Sequence, residues 1–397
     1  MYFEVIDNKF DCFGYFIDGN INLTPPPITE QHYCWTYNEQ LKDYNNIEYV
    51  SLYCNGKDIN ELCPEHLKQD WVLLYERFKA FFRAFYIAKI NLEDNCFYDM
   101  IPMTFLVEYF TVKTKIIEYI ANNYPRPSNY EHLFEVMKVC NKIRSQKLNI
   151  DTSCLNIRIA DPMVKKAKIK YDNLVPYIKY DVFGTKTGRL STIANSFPIL
   201  QMDKEYRSVI QPTNDWFLEL DYNGAELRTF LSLAGEEQPE VDIHDWNIQH
   251  IYDNKLNRDE AKEKIFAWLY SDNKNAKAEQ IYKKEEVRKK YWDGTKVTTY
   301  WGREIEADKH HSLSYIVQST FADLVLKQMV KVFKFLEGKK SFIAFSVHDN
   351  IVIDLHDDEK YLLPQLVKMF SDTELGNFLV NTKVGVDYGS LKAIKIK

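Results

Sequence analysis

The sequence predicts an α+β fold, and three observations carry that prediction. Residues 1 to about 55 are rich in short β-type runs, residues from about 64 to 147 shift to helical periodicity, and beyond Asn149 short strands and helices alternate. Blocks of strand and helix followed by irregular alternation favour α+β over a doubly wound parallel sheet. With 397 residues, 45% of them hydrophobic and 27% charged, the chain is long enough for two or three subdomain cores and has ordinary globular composition.

The elements follow in order. MYFEVIDNKF and DCFGYFIDGNINL pattern as a hairpin closed off by Pro25, Pro26 and Pro27, and IEYVSLYCNG suggests a further strand. Helical periodicity then runs from Pro64 to about Ile90 and from Pro102 to Tyr124, making an antiparallel helix pair. The longest apolar-looking segment, WVLLYERFKAFFRAFYIAKI from residue 71, carries Glu76, Arg77, Lys79, Arg83 and Lys89; it reads as an amphipathic helix with an aromatic face and predicts no membrane partner. After the Pro125-Arg126-Pro127 break, Ser128-x-x-Glu131 is a capping-box pattern opening a helix to about Lys147. MYFEVIDNKF lacks the basic start and long apolar core of a signal peptide. Seven cysteines, odd in number and without a C-x-x-C pair, predict free thiols in a reducing compartment, the cytoplasm, rather than disulfides or a zinc site.

Net charge is −6, which by itself points to no nucleic-acid partner. Its distribution is uneven. Arg126 to Arg189 holds 13 Lys/Arg against 6 Asp/Glu, and Asp272 to Arg303 holds 9 against 5, leaving −17 for the rest of the chain. A basic track on an acidic body suits a phosphate backbone, although Lys-rich helix faces are also simply solvated, and charge alone leaves both readings open.

Five stretches carry candidate chemistry. In WFLELDYNGAELRTFLSLAG, residues 216–235, alternation delivers Asp221 at a strand end and a helix follows from Ala225. In SVHDNIVIDL, residues 346–355, two apolar runs flank His348, Asp349 and Asn350, a hairpin whose turn tolerates positive φ through Asp and Asn. Each Asp taken alone is an ordinary strand-end or turn residue; brought together they would repel unless a cation such as Mg²⁺ sat between them. In NRDEAKEKIFAWLY, residues 257–270, Asn257-x-x-Glu260 caps a helix on which Arg258, Lys262, Phe266 and Tyr270 recur every four residues. Two cations near a helix N-terminus followed by two rings match the order of a nucleoside triphosphate, while a plain amphipathic helix remains the alternative. FGTKTGRLST, residues 183–192, sets Arg189 among hydroxyls suited to a sugar-phosphate edge. In YWGREIEADKHHSLSYIVQSTFADLVLKQM, Ile316, Phe321, Leu324, Val325 and Met329 trace an apolar helix face that leaves Gln318 polar.

The succession TGRLS at 187–191, DYNGAELR at 221–228, DIH at 242–244, R-x3-K-x3-F-x3-Y at 258–270, QSTFAD at 318–323 and VHDN at 347–350 resembles the polymerase motifs of family A DNA polymerases, from about residue 180 to 356. The resemblance implies a right-hand fold: an antiparallel palm sheet, a helical thumb and reduced fingers. Residues 181–397 are then palm and fingers, with fingers at about 236–305, and 64–180 is a thumb-like region and its connection to the palm. Residues 1–63 form a small strand-rich region whose role stays open between exonuclease remnant, docking module and brace. Carried over residue by residue, Asp221 and Asp349 look like the palm carboxylates that hold two Mg²⁺ with the main-chain carbonyl of Tyr222. Arg258, Lys262 and His244 look like contacts to the triphosphate, with Lys262 as proton donor to pyrophosphate. Phe266 and Tyr270 look like the sugar- and base-facing aromatics, Glu226 like the gate against a ribose 2′-OH, and Arg189, Gln318 and His348 like contacts to primer-template DNA.

Gly224 stands where the family usually has Gln, Ala267 and Ser271 where it has Gly, and Asn350 where it has Glu; with Asp349 intact, altered rate rather than lost chemistry is expected. The first 100 residues contain no D-x-E, so no 3′–5′ exonuclease is expected in this chain, and proofreading or processivity would come from separate proteins. The expected activity is template-directed DNA synthesis from dNTPs. A single-subunit RNA polymerase or primase of the same palm and a non-catalytic DNA-binding relic are the alternatives. A compact form of this kind fits a bacteriophage or other virus, acting in the host cytoplasm.

Overall fold

The computed structural model describes residues 1–6, 14–24, 27–92, 95–271 and 273–395. They form two compact units, Met1–Ser145 and Gln146–Lys397. The division falls inside the 64–180 segment that the resemblance treats as one region.

In the first unit, Phe3–Val5, Tyr15–Ile17 and Asn20–Asn22 make an antiparallel sheet, and His32–Cys34 pairs in parallel with Ile47–Tyr49. The strand expected through IEYVSLYCNG is therefore short. The pairing runs only over Ile47–Tyr49, and Val50–Cys54 then closes into 3₁₀ turns, with the Ser51 amide still donating to the Trp35 carbonyl at 2.9 Å. Helices α1 (Glu65–Ile87), α2 (Met103–Asn123) and α3 (Tyr130–Ser145) follow. Aromatic pairs running in opposite directions, Trp71 with Tyr109 at 5.1 Å and Phe81 with Phe105 at 5.2 Å, confirm an antiparallel α1–α2 pair. The same core takes in Ile6, Phe16, Val50 and Cys54, so the N-terminal strands and the helices share one apolar interior. Glu4 is buried there and binds Lys113 of α2, the amide of Trp35 at 2.6 Å and the Cys34 thiol at 3.2 Å.

Helix α3 begins at Tyr130, and Glu131 in its first turn pairs with Arg126 at 2.5 Å. One further sequence expectation needs correction in this unit. Cys96 is disulfide-bonded, against the expectation of free thiols throughout, whereas Cys34, Cys54, Cys63, Cys140 and Cys154 are in no disulfide. The first turn of the expected N-terminal hairpin, residues 7–13, lies outside the described residues, as do Pro25 and Pro26.

The second unit is built on a five-stranded antiparallel sheet in the order Phe342–Val347, Asn350–Leu355, Trp216–Tyr222, Val380–Gly385, Lys392–Ala393. Its central strands are almost wholly buried because hydrophobic side chains fill both faces. Helix α4 (Pro162–Asp172) precedes the sheet, and α5 (Ala225–Leu233) leaves its central strand. Helices α6 (Ile243–His250), α7 (Arg258–Tyr270), α8 (Ala276–Tyr282) and α9 (Lys284–Tyr291), with the hairpin Lys296–Thr298/Glu304–Glu306, share a second core around Ile265, Trp268 and Tyr282. The expected Asn257/Glu260 capping box is present with both hydrogen bonds, at 3.0 Å each. Helix α10 (Lys309–Leu336) buries Ile316, Phe321, Leu324, Val325 and Met329 as its pattern requires, and α11 (Leu363–Ser371) follows the hairpin. Among the described residues no helix is long and apolar enough to cross a membrane.

Candidate active site

The Trp216–Tyr222 strand is central in its sheet, and its register places Asp221 opposite Asn350 on one side and Asn381 on the other. Asp349 precedes Asn350 in the two-residue turn, so both acids emerge at the same end of two neighbouring strands. The sequence ascribed the positive φ of this turn to Asp and Asn; it belongs instead to His348, at 54°. Burial pushes the Asp221 carboxyl up to about 6, the charges of Glu219 and Asp349 add to the rise, and Lys383 and a hydrogen bond from Asn381 oppose it. Asp349 is also pushed up, chiefly by burial, against the charges of Arg189 and His348 and with that of Glu226. Asp221 therefore senses the charge of Asp349. Tyr222 is locked by its ring stacked on Phe370 at 4.4 Å and its hydroxyl donating to the Phe370 carbonyl at 2.6 Å, which fixes the main chain beside Asp221.

Two partly buried carboxylates held above their ordinary range form an oxygen donor set that a hard divalent cation would relieve. Among the described residues no group of three or more His, Cys, Asp and Glu converges on a metal-sized site. Asp221 and Asp349 are the side chains that could hold such a cation, with main-chain oxygen beside them.

The α6–α7 region supplies the positive side. Arg258 pairs with Asp242 at 2.8 Å; Asp242 also accepts from Asn223 at 2.7 Å and caps α6 through the His244 amide at 2.8 Å. Although burial opposes it, these bonds hold the Asp242 carboxyl well below the usual range. The buried Arg228 ties down the preceding loop by donating to the carbonyls of Asn223, Pro239 and Val241. His244 is pushed down to about 4 by burial, with Arg258 and Lys262 adding to the fall, so it is neutral at pH 7; its Nδ1 has no partner among the described residues. Lys262 is exposed and makes no hydrogen bond or ion pair among the described residues. Phe266 and Tyr270 stack at 6.3 Å and 15°.

Glu226 joins the two sides. Arg189 binds one of its oxygens at 3.0 Å and the Tyr270 hydroxyl donates to the other at 2.5 Å, while the side chain of Gln318 bonds Tyr270. Arg189 and His348 line one shallow cavity with Leu190, Ser346 and residues of α10. The predicted residues thus fall into three linked groups: the two acids, the cations with His244 on α6–α7, and the Arg189–Glu226–Tyr270–Gln318 chain.

Two glycines are demanded by this packing. Gly224 has φ +60° and a Cβ there would meet Ile243 at 2.1 Å, so its bareness seats the start of α6 against α5. Gly188 has φ +78° and lies under the Arg303 guanidinium, which a Cβ would meet at 2.6 Å; Arg303 is anchored by Asp323 at 2.5 Å and 3.2 Å. Sequence reasoning missed Glu219, Asn381, Lys383 and the Arg303–Asp323 pair. The period-two pattern of VNTKVG put Asn381 and Lys383 on one strand face, but nothing local showed which strand they would lie beside.

An antiparallel sheet carrying two acids at one end, with a cation- and ring-bearing helix joined to it through Glu226, makes this a mixed α+β domain. No protein-family model matches the sequence, and no curated protein matches it. Among solved structures, the POL domain of Pol1 from M. smegmatis, in complex with DNA primer-template and dNTP, aligns with a TM-score of 0.56 at 11% identity, covering 73% of this chain and 76% of that one. That is a family A polymerase domain, and this chain shares its fold.

Proposed function

We propose that the chain is a template-directed DNA polymerase that adds dNTPs to a primer 3′-OH. The observation that carries the reading is the meeting of Asp221 and Asp349 at one end of the sheet, coupled through Glu226 to the helix bearing Arg258 and Lys262. Asp221 and Asp349, with the Tyr222 carbonyl, would hold two Mg²⁺, which when bound supply Lewis acidity to the attacking and leaving oxygens.

The remaining chemistry belongs to the chain's own side chains. Arg258, pre-aligned by Asp242, and Lys262, free of ion pairs among the described residues, bind the triphosphate near the α7 N-terminus. Lys262 gives a proton to the departing pyrophosphate, and neutral His244 offers a further polar contact to phosphate oxygen. Phe266 and Tyr270 pack against sugar and base. Glu226, held from both sides, presents a fixed obstacle to a 2′-OH. Arg189, Gln318 and His348 contact primer and template, and the basic stretches bind duplex phosphates, so binding should weaken steeply with salt. Residues 64–180 would serve as the thumb-like region, and proofreading would come from another protein.

Primer extension in Mg²⁺ with dNTPs and NTPs, for wild type beside Asp349→Ala, tests this. Extension with dNTPs that Asp349→Ala abolishes is the expected result. Equal use of NTPs would make the chain an RNA polymerase or primase, an inactive wild type would make it a binding relic, and equal activity of the variant would remove Asp349 from the site.

A further inference from the structure

We propose that Glu219 is a positioning residue of this site, fixing through Lys383 and Asn350 the strand ends from which Asp221 and Asp349 project. Glu219 lies two residues before Asp221 and so shares its face of the strand. It is 4% exposed, and a carboxylate so deep in a sheet persists only if it is paired. One oxygen accepts from Lys383 at 2.6 Å and the other from Asn350 at 3.4 Å. Lys383 is its cross-strand partner, whereas Asn350 is the cross-strand partner of Asp221 and the residue after Asp349. One side chain therefore ties three adjacent strands together a single residue pair behind the acids.

The tie orients more than it holds together. The same strands are already joined by a continuous backbone ladder, and Leu218, Leu220, Ile351 and Ile353 are fully buried around it. The Asn350 Oδ1 is buried with no partner among the described residues, so the bond to Glu219 sets the direction of that amide, while Ser346 holds the Asn350 carbonyl at 2.9 Å. Releasing Glu219 frees the residue attached to Asp349 without opening the core. Side chains standing behind metal-binding groups in this way characteristically control affinity and rate by orienting them.

The proposal rests on the polymerase reading for its rate measurement but not for its binding measurement. Glu219→Ala, Glu219→Gln and Lys383→Met are made in the full chain, and each is assayed for Mn²⁺ binding by electron paramagnetic resonance, for primer extension and for thermal unfolding. Glu219→Ala and Lys383→Met should weaken Mn²⁺ binding and kcat by about 10- to 100-fold. The KM for dNTP should stay within about twofold of wild type, because an orienting defect acts in the transition state rather than in substrate binding. Glu219→Gln should recover most of both losses, since it can still accept from Lys383 and the Asn350 amide can turn to offer its oxygen. Wild-type binding and rate in Glu219→Ala would overturn the proposal, as would losses that follow unfolding and are not recovered by Gln. A wild type that extends no primer, with Mn²⁺ binding that Glu219→Ala weakens, would sink the polymerase reading and leave the positioning role standing.

Discussion

Replacing Asp221 by Asn should abolish extension and at the same time make the metal-free protein more stable at neutral pH. The carboxyl is driven from its ordinary 3.8 to about 6, first by burial and then by Glu219 and Asp349, with Lys383 and Asn381 only partly offsetting them. A tenfold change in acidity corresponds to about 1.4 kcal/mol, so ionised Asp221 costs the folded state about 1–3 kcal/mol once the water reaching this strand end is allowed for. The sign follows from the folded value lying above the unfolded one. Below about pH 4 the group is protonated in both states and Asp221→Asn gains little. As pH rises to about 6 the unfolded chain ionises freely while the folded chain resists, so wild type loses stability relative to the variant; above 6 the difference is constant. Urea unfolding in EDTA at pH 4, 5, 6 and 7.5 measures it. A variant no more stable than wild type at pH 7.5, or a difference that does not change between pH 4 and 6, would refute the electrostatic account of the site.

Three further outcomes follow from the same packing. Gly224→Ala places a Cβ at 2.1 Å from Ile243 in a backbone at φ +60°, so it should cost about 2–4 kcal/mol by thermal unfolding and raise the KM for dNTP as His244 shifts with α6. Lys113→Met strands the buried Glu4 carboxylate and should cost about 3–5 kcal/mol in urea, with Glu4→Gln/Lys113→Met less damaging than the single change. Glu226→Ala removes the side chain gripped by Arg189 and Tyr270, and the preference for dNTP over NTP in primer extension should fall about tenfold or more; an unchanged ratio would show that Glu226 is not the gate.

What the sequence made legible was governed by local rules. The α7 capping box, the buried face of α10 and the 342–355 hairpin each depend on residues a few positions apart, and each is present. Boundaries set from outside the segment were not legible. The strand through Ile47–Tyr49 gives way to 3₁₀ turns at Val50–Cys54 inside one continuous β-type run, and the Arg126–Glu131 pair joins residues across the Pro-rich break. The candidate site divides in the same way: its acids were visible as interruptions in apolar runs, whereas Lys383 and Asn381 come from a strand some 160 positions further along the chain whose partner no local pattern names.

That division bears on the two departures from the family pattern closest to the acids. Gly224 and Asn350 look like erosion when read singly, yet each is integrated where it stands. Gly224 allows Ile243 and the His244-bearing helix to close on α5, a contact that any side chain would block. Asn350 brings no charge to the turn, but its amide reaches Glu219, and the buried negative charge beside Asp221 comes from the central strand, balanced by Lys383 from the next. A site losing its function would be expected to accumulate unpaired buried charge or to fill with apolar side chains, since no selection would maintain the costly ionised group. Here Glu219, Asp242 and Glu226 each keep at least two specific partners, while Asp221 meets repulsion from Glu219 and Asp349 that Lys383 and Asn381 offset only in part. Asp221 and Asp349, both raised chiefly by burial, stand beside carboxylates that keep their partners, which supports the proposed metal-binding reading.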